Sequence, residues 1–195
     1  MRKNIKPLIG ADLLLFGQDK SLISQILQPE KPKSKLMGNA YIEYYLKTGF
    51  ILEYTSNGGL GMIEIVEPQE IEFLGDIIPI TNYSDFLNKF LKYDPNVDTD
   101  NDGFFSEKFK MGVYVEDGVD DPDAKVETIY LMSDQYVRQV WMWIASNWFK
   151  SVTWTLHLQV KAGNWRHKLL LPEYKQGRFY QRDLKIFILK NSMLA

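Results

Sequence analysis

Cysteine is absent from the 195 residues. That removes disulfides, thiolate-bound zinc, cysteine nucleophiles and iron–sulfur clusters together, and it fits a cytoplasmic protein. Histidine is almost absent: His157 and His167 are the two in the chain. His157 falls on the polar side of an alternating run, and His167 sits in Arg166-His167-Lys168. Neither has a partner at metal or triad spacing, so both read as surface residues. There is no G-x-S-x-G elbow, no phosphate-binding loop and no dinucleotide fingerprint. The glycine-rich stretch Ser56 to Gly61 joins two strand-like runs, whereas a phosphate loop opens a helix. Apolar runs are short. The Trp-rich run Val140 to Ala145 is far below the roughly 20 residues that a membrane-spanning helix needs. Three early positive charges precede an apolar stretch, but Asp12 interrupts it and no small-residue cleavage site follows. The N-terminus therefore reads as the start of a domain, not a signal peptide. These absences lead to the expectation of a non-enzymatic cytoplasmic protein, with no cofactor required and no membrane partner.

What is present is distributed unevenly. Up to residue 135 the chain carries 13 Lys and Arg against 23 Asp and Glu; from 136 onward it carries 10 against 2, together with all 5 tryptophans. This shift marks a boundary between an acidic domain, 1–135, and a basic, Trp-rich α/β extension or small subdomain, 136–195.

Periodicity supplies the elements. Gly49 to Val66 is a β-hairpin: Phe50, Leu52 and Tyr54 alternate with Ile51, Glu53 and Thr55, a second run spans Met62 to Val66, and Asn57-Gly58 lies between. Asn-Gly predicts a type I′ turn, with φ > 0 at both central residues. Ala11 to Phe16 reads as a first strand. Asp19 is placed to cap a helix carrying Leu22, Ile23, Ile26 and Leu27, which Pro29 and Pro32 end. Glu30 to Lys35 reads as a solvated loop. Residues 41–74 read as an antiparallel meander closed by Glu70 to Leu74. Ser84 or Asn82 caps a second helix with Phe86, Leu87, Phe90 and Leu91; strands at 104–105, 110–116 and 126–132 follow. A shift of 64 residues superposes the two helices, and a shift of 63 lays Gly49 on Gly112 and Phe50 on Val113. The fold class is therefore α+β, with duplicated helix-plus-antiparallel-meander units sharing a sheet. A C-terminal helix, about 134–149, and strands at 151–160 and 184–189 complete it.

Three groups of residues are candidates for chemistry or binding. Asp98-Thr99-Asp100-Asn101-Asp102-Gly103 matches the first half of an EF-hand loop, with carboxylates at ligand positions one, three and five and the turn glycine at six. The bidentate Glu expected at position 12 is replaced by Phe109, so the alternative is a solvated acidic turn. A larger acidic surface joins Asp94, Asp98, Asp100 and Asp102 to Glu116, Asp117, Asp120, Asp121 and Asp123, and would steer a basic protein partner by charge. In the tail, Arg166, Lys168, Arg178 and Arg182, interleaved with Trp165, Phe179 and Tyr180, have the pattern of a nucleic-acid surface. The bland alternative is that the basic part docks on the acidic one. Carboxylates such as Glu43 with Glu53, or Glu64 with Glu72, are candidates to face one another across strands. On the solvent side of a meander they are expected as solvated residues.

The chain from Ile9-Gly10 through the first helix, the GFILEYTSNGGLGMIEI hairpin, EIEFLG and the DTDNDGFF turn before MGVYVED resembles small bacterial α+β proteins of unassigned function. Some of these are encoded as immunity partners of secreted toxins. The likeness covers about residues 9–132 and brings no catalytic residues with it. The duplicated helix-plus-meander is also similar in architecture to β-lactamase-inhibitor-like domains. The resemblance implies a protein-binding module that neutralises a basic toxin. A weak calcium-binding domain and a nucleic-acid-binding tail are the alternatives.

Overall fold

A computed structural model describes residues 2–37, 40–115, 121 and 123–143. The chain divides into two compact units, Met1–Val137 and Arg138–Ala195, and the second is described only over 138–143. Among the described residues, α and β elements combine in two sheets and three helices. No helix among them is long and apolar enough to cross a membrane.

The larger sheet is antiparallel throughout. It takes β4 (Lys33–Met37), β5 (Ala40–Tyr45), β6 (Phe50–Tyr54) and β7 (Leu60–Val66) from the first half. From the second half it takes β10 (Asp98–Asp100), β11 (Gly103–Ser106), β12 (Met111–Tyr114) and β13 (Thr128–Met132). Their spatial order is β10-β11-β12-β13-β7-β6-β5-β4. Each half is thus a four-stranded meander, and the halves meet where β7 pairs with β13, Ile65 opposite Ile129. A helix precedes each meander: α1 (Lys20–Ile26) and α2 (Tyr83–Phe90). Asp19 accepts from the Leu22 N–H at 3.0 Å and Asn82 from the Asp85 N–H at 2.8 Å, so each helix begins on a side-chain cap.

The halves also share their turns. Met37 faces Ala40 and Asp100 faces Gly103 across two-residue connections. Tyr45 faces Phe50 and Ser106 faces Met111 across four-residue ones. The last residue of each four-residue turn has a positive φ, +71° at Gly49 and +49° at Lys110. Gly49 and Lys110 thus take the same place in the two turns, while Gly112 lies within β12.

The smaller sheet has the order β3-β2-β1-β8-β9, from β1 (Arg2–Lys6), β2 (Gly10–Ala11), β3 (Leu14–Leu15), β8 (Glu70–Phe73) and β9 (Asp76–Pro79). Three expectations change here. Ala11 to Phe16 is not one strand, since Asp12 turns the chain at φ +53° and its carboxylate accepts from the Asn4 N–H at 2.8 Å. Glu70–Phe73 does not extend the meander: it pairs parallel with β1, Ile5 opposite Phe73. Glu30 to Lys35 is not all loop, because β4 starts at Lys33.

The core lies between the sheets and under the helices. Even-numbered Phe50, Leu52 and Tyr54, with Ile63, Ile65, Ile129, Leu131, Met111 and Val113, face Ile5, Ile71 and Phe73 of the small sheet. Phe90 of α2 packs 5.0 Å from Phe104 and 5.3 Å from Phe73, so α2 ties the layers together. Each such ring contributes roughly 1.5–3 kcal/mol by leaving water. The hairpin at 49–66 forms, with a different turn. Gly58 N–H donates to Thr55 O and Thr55 N–H to Gly59 O, both at 2.8 Å. Gly58 has a φ of +85°, while Asn57 is not left-handed. This is a three-residue loop with a bulge, matching the register shift at Glu53/Tyr54.

Candidate functional site

The strand ladder gathers six of the described acidic residues at one end of the large sheet. Asp102 O accepts from the Val115 N–H at 2.8 Å, so the β10–β11 turn lies beside the start of the β12–β13 loop. Glu127 N–H donates to Tyr114 O and Glu67 N–H to Glu127 O, which continues the same edge across to β7. Asp100, Asp102, Asp121, Asp123, Glu127 and Glu67 therefore form a rim. Asp121 and Asp123 are exposed, and the Asp121 carboxylate accepts from the Asp123 N–H at 2.9 Å. Within this rim Lys125 bridges to Glu67 at 3.0 Å. Tyr83 N–H donates to Ala124 O, which pins the loop to the start of α2.

Asp98 is exposed on β10, two residues in from the rim. Asp94 does not join the surface. It is 4% exposed, accepts from the Ser106 hydroxyl at 2.5 Å and from the Asn96 N–H at 3.1 Å, and so serves as an internal brace. Glu116, Asp117 and Asp120 lie outside the described residues.

The DTDNDG motif is a β-hairpin. Asp98 faces Phe105 and Asp100 faces Gly103 in an antiparallel ladder, and Asp100 accepts from the Asp102 N–H at 2.9 Å. The helix–loop–helix frame to which such a loop belongs is replaced by two strands. Among the described residues no three His, Cys, Asp or Glu side chains gather in a way that could hold a metal.

A second feature lies on the face of the large sheet turned away from the small one. One row of residues in register crosses it: Phe105, Gly112, Tyr130, Glu64, Ile51 and Tyr44. Glu53 stands one step along from Ile51 on the same face, diagonal to Glu64. Glu53 is 1% and Glu64 4% exposed. The Tyr136 hydroxyl donates to Glu53 Oε2 at 2.5 Å, whereas Glu64 receives no hydrogen bond among the described residues. Burial pushes Glu53 up to about 7, against the Tyr136 hydroxyl, which pulls it down. Burial, and then the neighbouring Glu53, push Glu64 up to about 8. Burial, Asp100 and Glu64 hold Tyr130 above the usual phenol range; burial and then Glu53 do the same for Tyr136. Two glycines make room. A Cβ on Gly112 would lie 2.0 Å from Tyr130 Cζ, and one on Gly61 2.7 Å from Tyr136 Cδ2, so both rings rest against bare backbone.

The chain matches no protein-family model, no curated protein and no solved structure. The site therefore stands on its own geometry.

The proposed carboxylate pairs are not formed. Glu43 pairs with Leu52 and points into the core side, where Tyr54 and Tyr45 hydroxyls donate to it at 2.6 and 3.2 Å. Glu53 is on the opposite face, and Glu72 is in the other sheet. The pairing of Glu53 with Glu64 escaped sequence reasoning, although the apolar Ile42, Ile51, Met62 and Met132 on the same face signal that it is covered. Arg166, Lys168, Arg178 and Arg182, both histidines and the strands expected at 151–160 and 184–189 lie outside the described residues.

Proposed function

We propose that this chain is a non-enzymatic protein-binding module that receives a basic partner on the acidic rim, in the manner of an immunity protein neutralising a basic toxin. The observation that carries the reading is the hydrogen bond between Asp102 O and Val115 N–H, with the ladder beyond it. It joins two acidic loops of one meander, separated by β11 and β12, into one surface. Six carboxylates held on hydrogen-bonded turns, against Lys125, make a negative potential that raises association rates with cationic surfaces and selects against anionic ones. The β10–β11 turn is held to β12 at Val115 and the described end of the β12–β13 loop to α2 at Ala124, which lowers the ordering cost at those two points.

The two halves are, in this reading, copies of one helix-and-four-strand unit. Matching turn lengths, capped helices and the paired positive φ at Gly49 and Lys110 support it. The copies differ at the rim. The first closes β6 to β7 with a tight loop; the second opens into the long acidic connection between β12 and β13. The binding surface belongs to the divergent copy.

The test compares capture from host extract by the wild type and by a variant carrying Asp102→Asn, Asp121→Asn and Asp123→Asn. A basic protein retained by the first and lost by the second, with binding that weakens as salt rises, is expected. A partner held equally by both would overturn the reading.

A further inference from the structure

The buried face of the large sheet holds two carboxylates that the acidic rim does not use, and they sit where the third helix, α3 (134–143), begins. The helix opens after Ser133 and is described over 134–143. Ser133 N–H donates to Gly61 O at 2.8 Å, its hydroxyl accepts from the Tyr136 N–H at 3.0 Å, and Val137 N–H closes the turn on Ser133 O at 3.0 Å. The Tyr136 ring lies on Gly61 and its hydroxyl ends on Glu53. One helical turn is thus fastened to β7 by backbone and to β6 by a phenol.

The groups that face this fastening are few among the described residues. They are Glu53 on β6, Glu64 on β7, Tyr44 on β5, Tyr130 on β13 and Tyr114 on β12. Lys33 and Lys35 on β4 lie beyond Tyr44 and Ile42 in the same rows, and Asp98 and Asp100 lie at the other edge. No cation is bonded to either glutamate among the described residues. One negative charge on Glu53 is tolerated, because Tyr136 donates to it. A second, on Glu64, has no donor and enters the same buried face, where like charges repel strongly and neither is hydrated. Water must then reach the pair. The sheet strands are hydrogen-bonded on both sides, whereas the Tyr136 turn has one backbone and one hydroxyl hydrogen bond to the sheet, with its buried ring laid on Gly61.

We propose that the first turn of α3 is a proton-operated latch, closed while the Glu53–Glu64 pair keeps at least one proton and released from the sheet when both ionise. Opening decides whether the chain leaves the sheet at Met132 or at Val137. The order in which the two carboxyls lose protons follows their environments, Glu53 first and Glu64 second.

Hydrogen exchange of the Tyr136 and Val137 amides in the full chain, referenced to amides of β6 and β7, tests this between pH 6 and 9.5. In the wild type the relative protection should fall well over tenfold across the range. Glu64→Gln keeps only the Glu53 linkage, which ends near pH 7, so its protection should fall about tenfold and then level off, well short of the wild-type loss. Tyr136→Phe removes the donor and should move the loss to lower pH. Wild-type protection that stays level with the sheet would overturn the latch without any variant. Equal loss in Glu64→Gln would overturn the role of the pair, and an unmoved midpoint in Tyr136→Phe that of the phenol.

Discussion

Replacing Gly112 by alanine adds one methyl group to the centre of the large sheet. The new Cβ would stand 2.0 Å from Tyr130 Cζ, 2.1 Å from its hydroxyl oxygen and 2.4 Å from Cε2. Ordinary contact needs about 3.5–4 Å between carbons, so the overlap is well over an ångström. The backbone has little freedom to yield, because Gly112 is paired with Phe105 on one side and Tyr130 on the other. The ring must move, yet Tyr130 is 3% exposed and stacked on Phe105 at 6.2 Å and 10°. Overpacking of this kind costs about 1–3 kcal/mol, and expelling the ring approaches the 3–5 kcal/mol of an aromatic truncation. Gly112 is not left-handed, so alanine regains about 0.4–1 kcal/mol from the unfolded chain. The net expectation is a loss of about 2–3 kcal/mol in urea unfolding at unchanged slope. Tyr130→Ala should be costly alone, and Gly112→Ala added to it should cost nothing more. A single Gly112→Ala as stable as the wild type, or strict additivity in the double variant, would refute the inlaid-ring geometry.

The titration of Glu64 makes a prediction about global stability. Its folded value is raised to about 8 from 4.5, so its favourable contribution is complete below about pH 4.5 and is lost as pH climbs to 8. Glu64→Gln should match the wild type near pH 4 and exceed it above pH 8, by at most about 5 kcal/mol. A stability gap that does not widen with pH would refute this. Asp94→Ala leaves the Ser106 hydroxyl and the Asn96 N–H without their buried acceptor and should destabilise by about 1–3 kcal/mol in the same assay. Leu74 sits in the two-residue β8–β9 turn at φ +53°, followed by Gly75 at +91°, and is 58% exposed. Leu74→Asn should therefore raise the melting temperature by a few degrees, relieving a strain of about 1 kcal/mol without loss of packing.

The sequence was most legible where one face is apolar and the other polar. Phe50, Leu52 and Tyr54 announce their strand, and Asp19 and Asn82 announce their helices, because period and cap agree. It was least legible at edges and in strands apolar on both sides. Lys33–Met37 and Arg2–Lys6 carry the charges that edge and small-sheet strands tolerate, so Lys33–Lys35 reads as loop and Arg2–Lys6 as a domain start without a strand. In Ala40–Tyr45, Ala-Tyr-Ile-Glu-Tyr-Tyr gives no parity, and Glu43, which reads as solvent-facing, lies on the core side. Glu70–Phe73 has a good strand pattern, but nothing local says that its partner is β1, 68 residues away at Arg2. Of the acidic surface, Asp98, Asp100, Asp102, Asp121 and Asp123 could be read from loop composition. Asp94 could not, since its partner Ser106 becomes visible only once β11 has folded back. The Glu53–Glu64 pair depends on register across β6 and β7, which the bulge at Tyr54 shifts.

The β7–β13 seam also sets the order of assembly. Within a half, strands meet across short spans, as Tyr45 meets Phe50 five positions on. The seam brings Ile65 to Ile129, 64 positions on. Closing the longer loop costs about 2 kcal/mol more in chain entropy, and the seam cannot be nucleated by any neighbouring turn. The halves can each zip from their own hairpins, but the continuous sheet waits for the encounter between them. Folding speed is then governed at Ile63, Ile65, Ile129 and Leu131, so side-chain truncation there should slow folding, while truncation in the outer hairpins should mainly hasten unfolding.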